Sequence, residues 1–144
     1  MATTGKIFIE GSIFLAFIDR ANLNHAKSVG ILEFLARQKN HLYTSEIVVL
    51  QTFNSVERDL GSAVANDFLQ AMLESNIEVL YSGQIDFLAA YRYLKVNPGR
   101  RSLFSMVINA NLMQKHGIYH VLTFDFWPNA MGTTTSSLIL NKII

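Results

Sequence analysis

Four short runs of strand-forming residues, separated by stretches of helical periodicity, limit the folds open to this chain. The runs cover residues 6–9, 41–44, 77–81 and 119–124. Between them, apolar residues recur three and four apart over residues 12–18 and 25–38, in a helix opened by Thr44-Ser45-Glu46, and over 63–75, 84–94 and 102–116. Strands that alternate with helical segments imply a mostly parallel sheet with both faces covered. The expectation is an α/β protein, a three-layer sandwich around a central parallel sheet of four to five strands. Residues 133–144 are β-branched and apolar and supply the candidate for an added edge strand. A length of 144 residues suits a single domain over 1–144.

The first strand and the turn after it carry the most information. Ile7-Phe8-Ile9 is a short apolar run, and Glu10-Gly11-Ser12 turns the chain into an apolar helix. Ser12 suits the N-cap of that helix, where a hydroxyl accepts from a free first-turn amide. Glu10 falls just past the carboxyl end of a strand, the edge where open α/β sheets bind ligands. Asp125 ends the fourth strand in the same way, after Val121-Leu122-Thr123-Phe124. If the two strands are neighbours, both carboxylates face one crevice. Two such groups can hold Mg²⁺ or Mn²⁺, hard ions that keep several waters. The bland alternatives are a solvated acid at Glu10 and a turn cap at Asp125.

Composition removes several function classes. No cysteine is present, so disulfides and thiolate metal sites are excluded. Twelve basic residues against 11 acidic ones give a net charge of +1, too little for a protein that coats nucleic acid by bulk charge. No apolar run reaches the roughly 18 residues needed to span a bilayer. The expectation is a cytoplasmic protein with no membrane partner.

The sequence resembles the PIN domain family of small α/β nucleases, in particular the VapC-type ribonuclease toxins. The resemblance rests on Ile7–Ala16, where the family has an apolar strand, an acid, small hydroxyl residues and an apolar helix. It rests also on Leu42-Tyr43-Thr44-Ser45-Glu46-Ile47-Val48 and on Gly117 through Asp125. It implies three or four carboxylates around divalent metal, which lowers the pKa of a bound water and neutralises charge on the phosphate being cleaved. Carried over by position, the first acid falls on Glu10, the second on Gln51, the third on Met106 and the fourth on Asp125. Two of the four charges are therefore replaced by neutral groups, and a thioether is a poor ligand for a hard cation. Ser12 and Thr123 keep hydroxyls of the first and last motifs. Asn109, one turn beyond Met106, offers a neutral oxygen on the same helical side.

These readings imply an eroded acidic site: a weak or inactive nuclease acting as an RNA- or protein-binding module. The alternative is an active Mg²⁺- or Mn²⁺-dependent endoribonuclease, a VapC-like toxin in which Glu10 and Asp125 hold the metal and Gln51 assists. The crevice is expected to include Ser12, Met106, Asn109 and Thr123, with Arg100 and Arg101 as phosphate contacts or simply a solvated loop. Phe126 and Trp127 would stack on bases if exposed and fill core if buried. RNA, an antitoxin-like protein and a second copy of the chain are the expected partners. The apolar Leu138-Ile139-Leu140 and Ile143-Ile144 motivate the last of these.

Overall fold

A computed structural model describes residues 5–98, 104–125 and 134–135. Its elements are β1 (Lys6–Ile9), α1 (Gly11–Ile18), α2 (His25–Arg37), β2 (His41–Ser45), α3 (Glu46–Leu60), α4 (Ser62–Glu74), β3 (Glu78–Leu80), α5 (Gln84–Val96), α6 (Phe104–Lys115), β4 (His120–Leu122) and the two-residue β5 (Thr134–Thr135). The strands form one sheet in the order β3-β2-β1-β4-β5, with every described pairing parallel. The expected α/β architecture is what the chain adopts. The expected edge strand is present at Thr134–Thr135, and the rest of the apolar tail lies outside the described residues.

β1 is the middle strand, and its composition says why. A parallel strand covered on both faces needs an unbroken apolar run instead of alternation. Ile7, Phe8 and Ile9 are all buried, as are Val121 and Leu122 on the neighbouring β4. Registers Ile9↔Leu122 and Phe8↔Tyr43 place the carboxyl ends of β4 and β2 on either side of that of β1. Buried hydroxyls tie the layers together: Thr44 Oγ1 donates to Ile9 O (2.9 Å) and Ser28 Oγ to Ile13 O (2.7 Å).

The helix ends follow local chemistry. Ser45 caps α3, accepting from Val48 N–H at 3.1 Å, and Gly117 beyond α6 takes φ +67°, a backbone state that glycine enters without steric penalty. At α5, Asp86 accepts from Gly83 N–H (2.8 Å) and pairs with Lys115 Nζ of α6 (3.1 Å). Burial pushes the Asp86 carboxyl up, but those two partners outweigh it and hold it below the ordinary range.

Candidate functional site at the ends of β1 and β4

The carboxyl ends of β1 and β4 lie side by side: Glu10 N–H donates to Leu122 O at 3.0 Å. A cavity of about 400 Å³ opens there. Glu10 lies between β1 and α1, and α1 adds Gly11, Ser12 and Leu15. From α3 come Val48, Gln51, Thr52, Asn54 and Ser55, and Asp125 completes the lining beyond β4. Glu10, Ser12, Gln51 and Asp125, singled out from the sequence, thus share one wall-to-wall space.

Glu10 plays a part that the sequence reading gave to Ser12. It is the N-cap of α1, with extended backbone (φ −90°, ψ 160°), and its Oε1 accepts from Ser12 N–H at 3.0 Å. The extra methylene of glutamate lets the carboxylate fold back over the first turn. The same oxygen accepts from Ser12 Oγ (2.5 Å) and Thr123 Oγ1 (2.6 Å). Ser12 Oγ in turn accepts from Phe124 N–H, and Thr123 Oγ1 from Asp125 N–H, both at 2.9 Å. One carboxylate oxygen therefore staples the turn after β1 to the turn after β4. Glu10 Oε2 has no hydrogen-bond partner among the described residues.

Asp125 is exposed at the rim. Partial burial raises its carboxyl above the ordinary range, and the nearby charge of Glu10 pushes the same way. The two acids are thus electrostatically coupled.

The remaining sequence candidates go elsewhere. Met106 packs against the hydrophobic core and is not among the described residues that line the cavity. Asn109 is buried, and its Oδ1 accepts from Ser45 Oγ at 2.5 Å. A thioether gains more from apolar neighbours than from water, and the Asn109 carbonyl is committed to the cap of α3; neither lines the crevice as expected. Thr123 reaches the site through Glu10 without lining the cavity. Arg100, Arg101, Phe126 and Trp127 lie outside the described residues. The sequence reading missed Gly11, Thr52, Asn54 and Ser55. The signal was available for two of them, since positions three and four beyond Gln51 share its helical face.

Among the described residues no group of three or more His, Asp or Glu side chains converges on a point. The cavity offers two carboxylates and the Gln51 amide. That donor set suits one hydrated Mg²⁺ or Mn²⁺. It does not suit a pair of ions some 3.5–4 Å apart, whose mutual repulsion needs more negative charge between them.

Comparison with solved structures follows the same geometry. VapC20 of Mycobacterium tuberculosis, a sarcin–ricin loop cleaving toxin, matches with a TM-score of 0.77 at 21% identity, over 89% of this chain and 96% of that one. This chain has the PIN-type fold of VapC proteins. VapBC2 from Rickettsia felis, bound to a DNA fragment from its promoter, matches with a TM-score of 0.68 at 13% identity, over 91% of this chain and 97% of that one. No family model and no curated protein matches the chain. The likeness to both structures is one of fold, and the PIN-type frame accounts for two acids meeting across the β1–β4 join.

Proposed function

We propose that this PIN-fold chain is an RNA-binding module of metal-dependent endoribonuclease lineage in which catalysis is weak or lost. One observation carries the reading: two carboxylates line the cavity, and one oxygen of Glu10 is held by three donors as a helix cap. The residues that the resemblance sets at the other two acidic positions are Gln51, which is neutral, and Met106, which is partly buried and packs against the core. The test is cleavage of structured and unstructured RNA by pure protein in millimolar Mg²⁺ and Mn²⁺, run beside a binding assay in EDTA. Binding without turnover supports the reading. Robust metal-dependent cleavage that disappears in Glu10→Ala refutes it.

A second reading is favoured by the meeting of Glu10, Asp125 and Gln51 in one cavity. Glu10 Oε2, the Asp125 carboxylate and the Gln51 carbonyl would hold one Mg²⁺ or Mn²⁺, which would supply an activated water for phosphodiester hydrolysis. It requires a metal-dependent rise in melting temperature that Asp125→Asn abolishes.

A protein-binding role beside RNA binding is supported by a separate feature. An apolar groove of about 340 Å³ runs between α3, α4 and β3, floored by Val49, Phe53, Met72 and Val79. Leu50, Leu73 and Tyr81 on its lining are exposed. An antitoxin-like protein or a second copy of the chain would cover it, and light scattering of the pure chain separates a dimer from a monomer awaiting a partner.

A further inference from the structure

Among the described residues, each buried polar side chain has a hydrogen-bond partner except Thr52. Ser28 and Thr44 donate to backbone carbonyls, and Ser45 bonds Asn109. Asp86 accepts from Gly83 N–H, and Thr123 donates to Glu10. Thr52 is 2% exposed, and its hydroxyl has no partner in the described chain. It lines the same cavity as the two carboxylates. A buried hydroxyl left unpaired is costly, so a group from outside the chain, a water or a ligand atom, is expected to meet it.

Gly11 supports the same conclusion. A Cβ at residue 11 would come within 3.2 Å of Thr52 Oγ1 and 3.9 Å of Val48 Cγ1. A side chain at residue 11 would crowd the hydroxyl, so glycine lets the start of α1 pass close to Thr52.

The chemistry of the lining selects what can enter. No lysine, arginine or histidine is among the described residues that form it, and two carboxylates are, so an unaccompanied phosphate is repelled. Glu10 Oε2 and Asp125 ask for N–H donors and the Thr52 hydroxyl for an acceptor, while Gln51, Asn54 and Ser55 can serve as either. A guanidinium or ammonium group brings donors and no acceptor. The pairing edge of uracil sets one N–H between two carbonyls, and that of cytosine has one donor and two acceptors. The edge of adenine has one donor group and one ring acceptor. Guanine alone carries N1–H and the exocyclic amine side by side, with the O6 acceptor next to them. Proteins read unpaired RNA bases on this edge.

We propose that the cavity binds the Watson–Crick edge of an unpaired guanine, Glu10 and Asp125 accepting from N1–H and the amine and Thr52 donating to O6. The proposal rests on the RNA-binding reading and gives that site its base preference. It requires no metal.

The test titrates the full chain in EDTA with guanosine, adenosine, cytidine, uridine and agmatine, followed by calorimetry and protein-observed NMR. Guanosine is expected to bind at least about tenfold more tightly than the other nucleosides, the scale of one correctly read base edge. Thr52→Val preserves shape and removes the hydroxyl. It should weaken guanosine about fivefold or more while leaving the melting temperature unchanged or higher, because no bond of the free protein is lost. Thr52→Ser should keep the preference for guanosine. A clear fall in the melting temperature of Thr52→Val would show a partnered hydroxyl and overturn the proposal. So would equal binding of all four nucleosides, or agmatine binding more tightly than guanosine, which would mark a site for a basic protein side chain. If oligonucleotides bind, guanosine does not and Thr52→Val changes nothing, the base assignment fails while the RNA-binding reading stands. If neither oligonucleotides nor nucleosides bind, both fail.

Discussion

Replacing Glu10 by alanine separates a structural carboxylate from a catalytic one. Catalytic acids are commonly held at a cost in stability, so removing them often stabilises a protein. Glu10 is placed to do the reverse. Its Oε1 accepts the α1 cap bond from Ser12 N–H at 3.0 Å and two hydroxyl bonds at 2.5 and 2.6 Å. Loss of an N-cap costs about 1 kcal/mol. Each hydrogen bond to a charged group adds about 1.5 kcal/mol, less where groups share one network. Relief of the repulsion with Asp125 and partial solvation of a half-buried group subtract from this. The expected net loss is about 2–4 kcal/mol, which for a chain of this size lowers the melting temperature by about 6–12 °C. Differential scanning calorimetry of wild type and Glu10→Ala at neutral pH, in EDTA, measures it. An unchanged or raised melting temperature would refute the cap role and return Glu10 to the status of a strained active-site acid.

The neighbouring acid should behave oppositely. The raised Asp125 carboxyl makes the folded state bind more protons than the unfolded one between the ordinary and the raised pKa, so stability falls as pH rises through that window; Asp125→Asn should remove the slope in a pH series of melts and exceed wild type above it. Asp86→Ala should cost about 2–3 kcal/mol through the lost α5 cap and Lys115 pairing. Since Asp86 is lowered, its contribution is complete above the ordinary carboxylate pKa and fades as pH falls through the folded value; acid titration of wild type and variant should converge at low pH. Gln51→Glu adds a third carboxylate to the cavity and should raise Mn²⁺ affinity about tenfold by calorimetry, as added ligand charge does elsewhere. Met106→Asp should add nothing to that affinity and cost about 1–2 kcal/mol, because the new charge is half-buried against core side chains.

The order of strands and helices was legible because apolar periodicity is a property of short stretches. The unbroken Ile7-Phe8-Ile9 marks a strand covered on both faces, and Gly117 marks where α6 must stop. The pairing of Glu10 with Asp125 followed once the parallel frame was assumed, since strand ends at one sheet edge are few. The identity of the cap was not legible. Ser12 and Glu10 both carry suitable oxygens two residues apart, and the choice depends on where Thr123 and the Phe124 amide arrive from the far end of the chain. The fates of Met106 and Asn109 were hidden for a similar reason. Their helix, α6, contributes Val107, Ile108, Ala110, Leu112 and Met113 to the interior, so its periodicity does not single out the side that meets the sheet edge. Thr52 carries no local sign at all, because a missing partner is a fact about space and not about neighbours in sequence.

The staple between Glu10 and Thr123 joins residues 113 positions apart. A ribosome adding about 5–20 residues each second delivers the second of them roughly 6–23 seconds after the first. Until then β1 has one neighbour, β2, and its other edge waits unpaired for β4. Growing polypeptides, and chains clipped before β4, consequently lack Asp125 and the Thr123 and Phe124 bonds that fix the Glu10 side of the cavity. Whatever this protein binds there meets the finished site only once β4 has emerged and paired with β1.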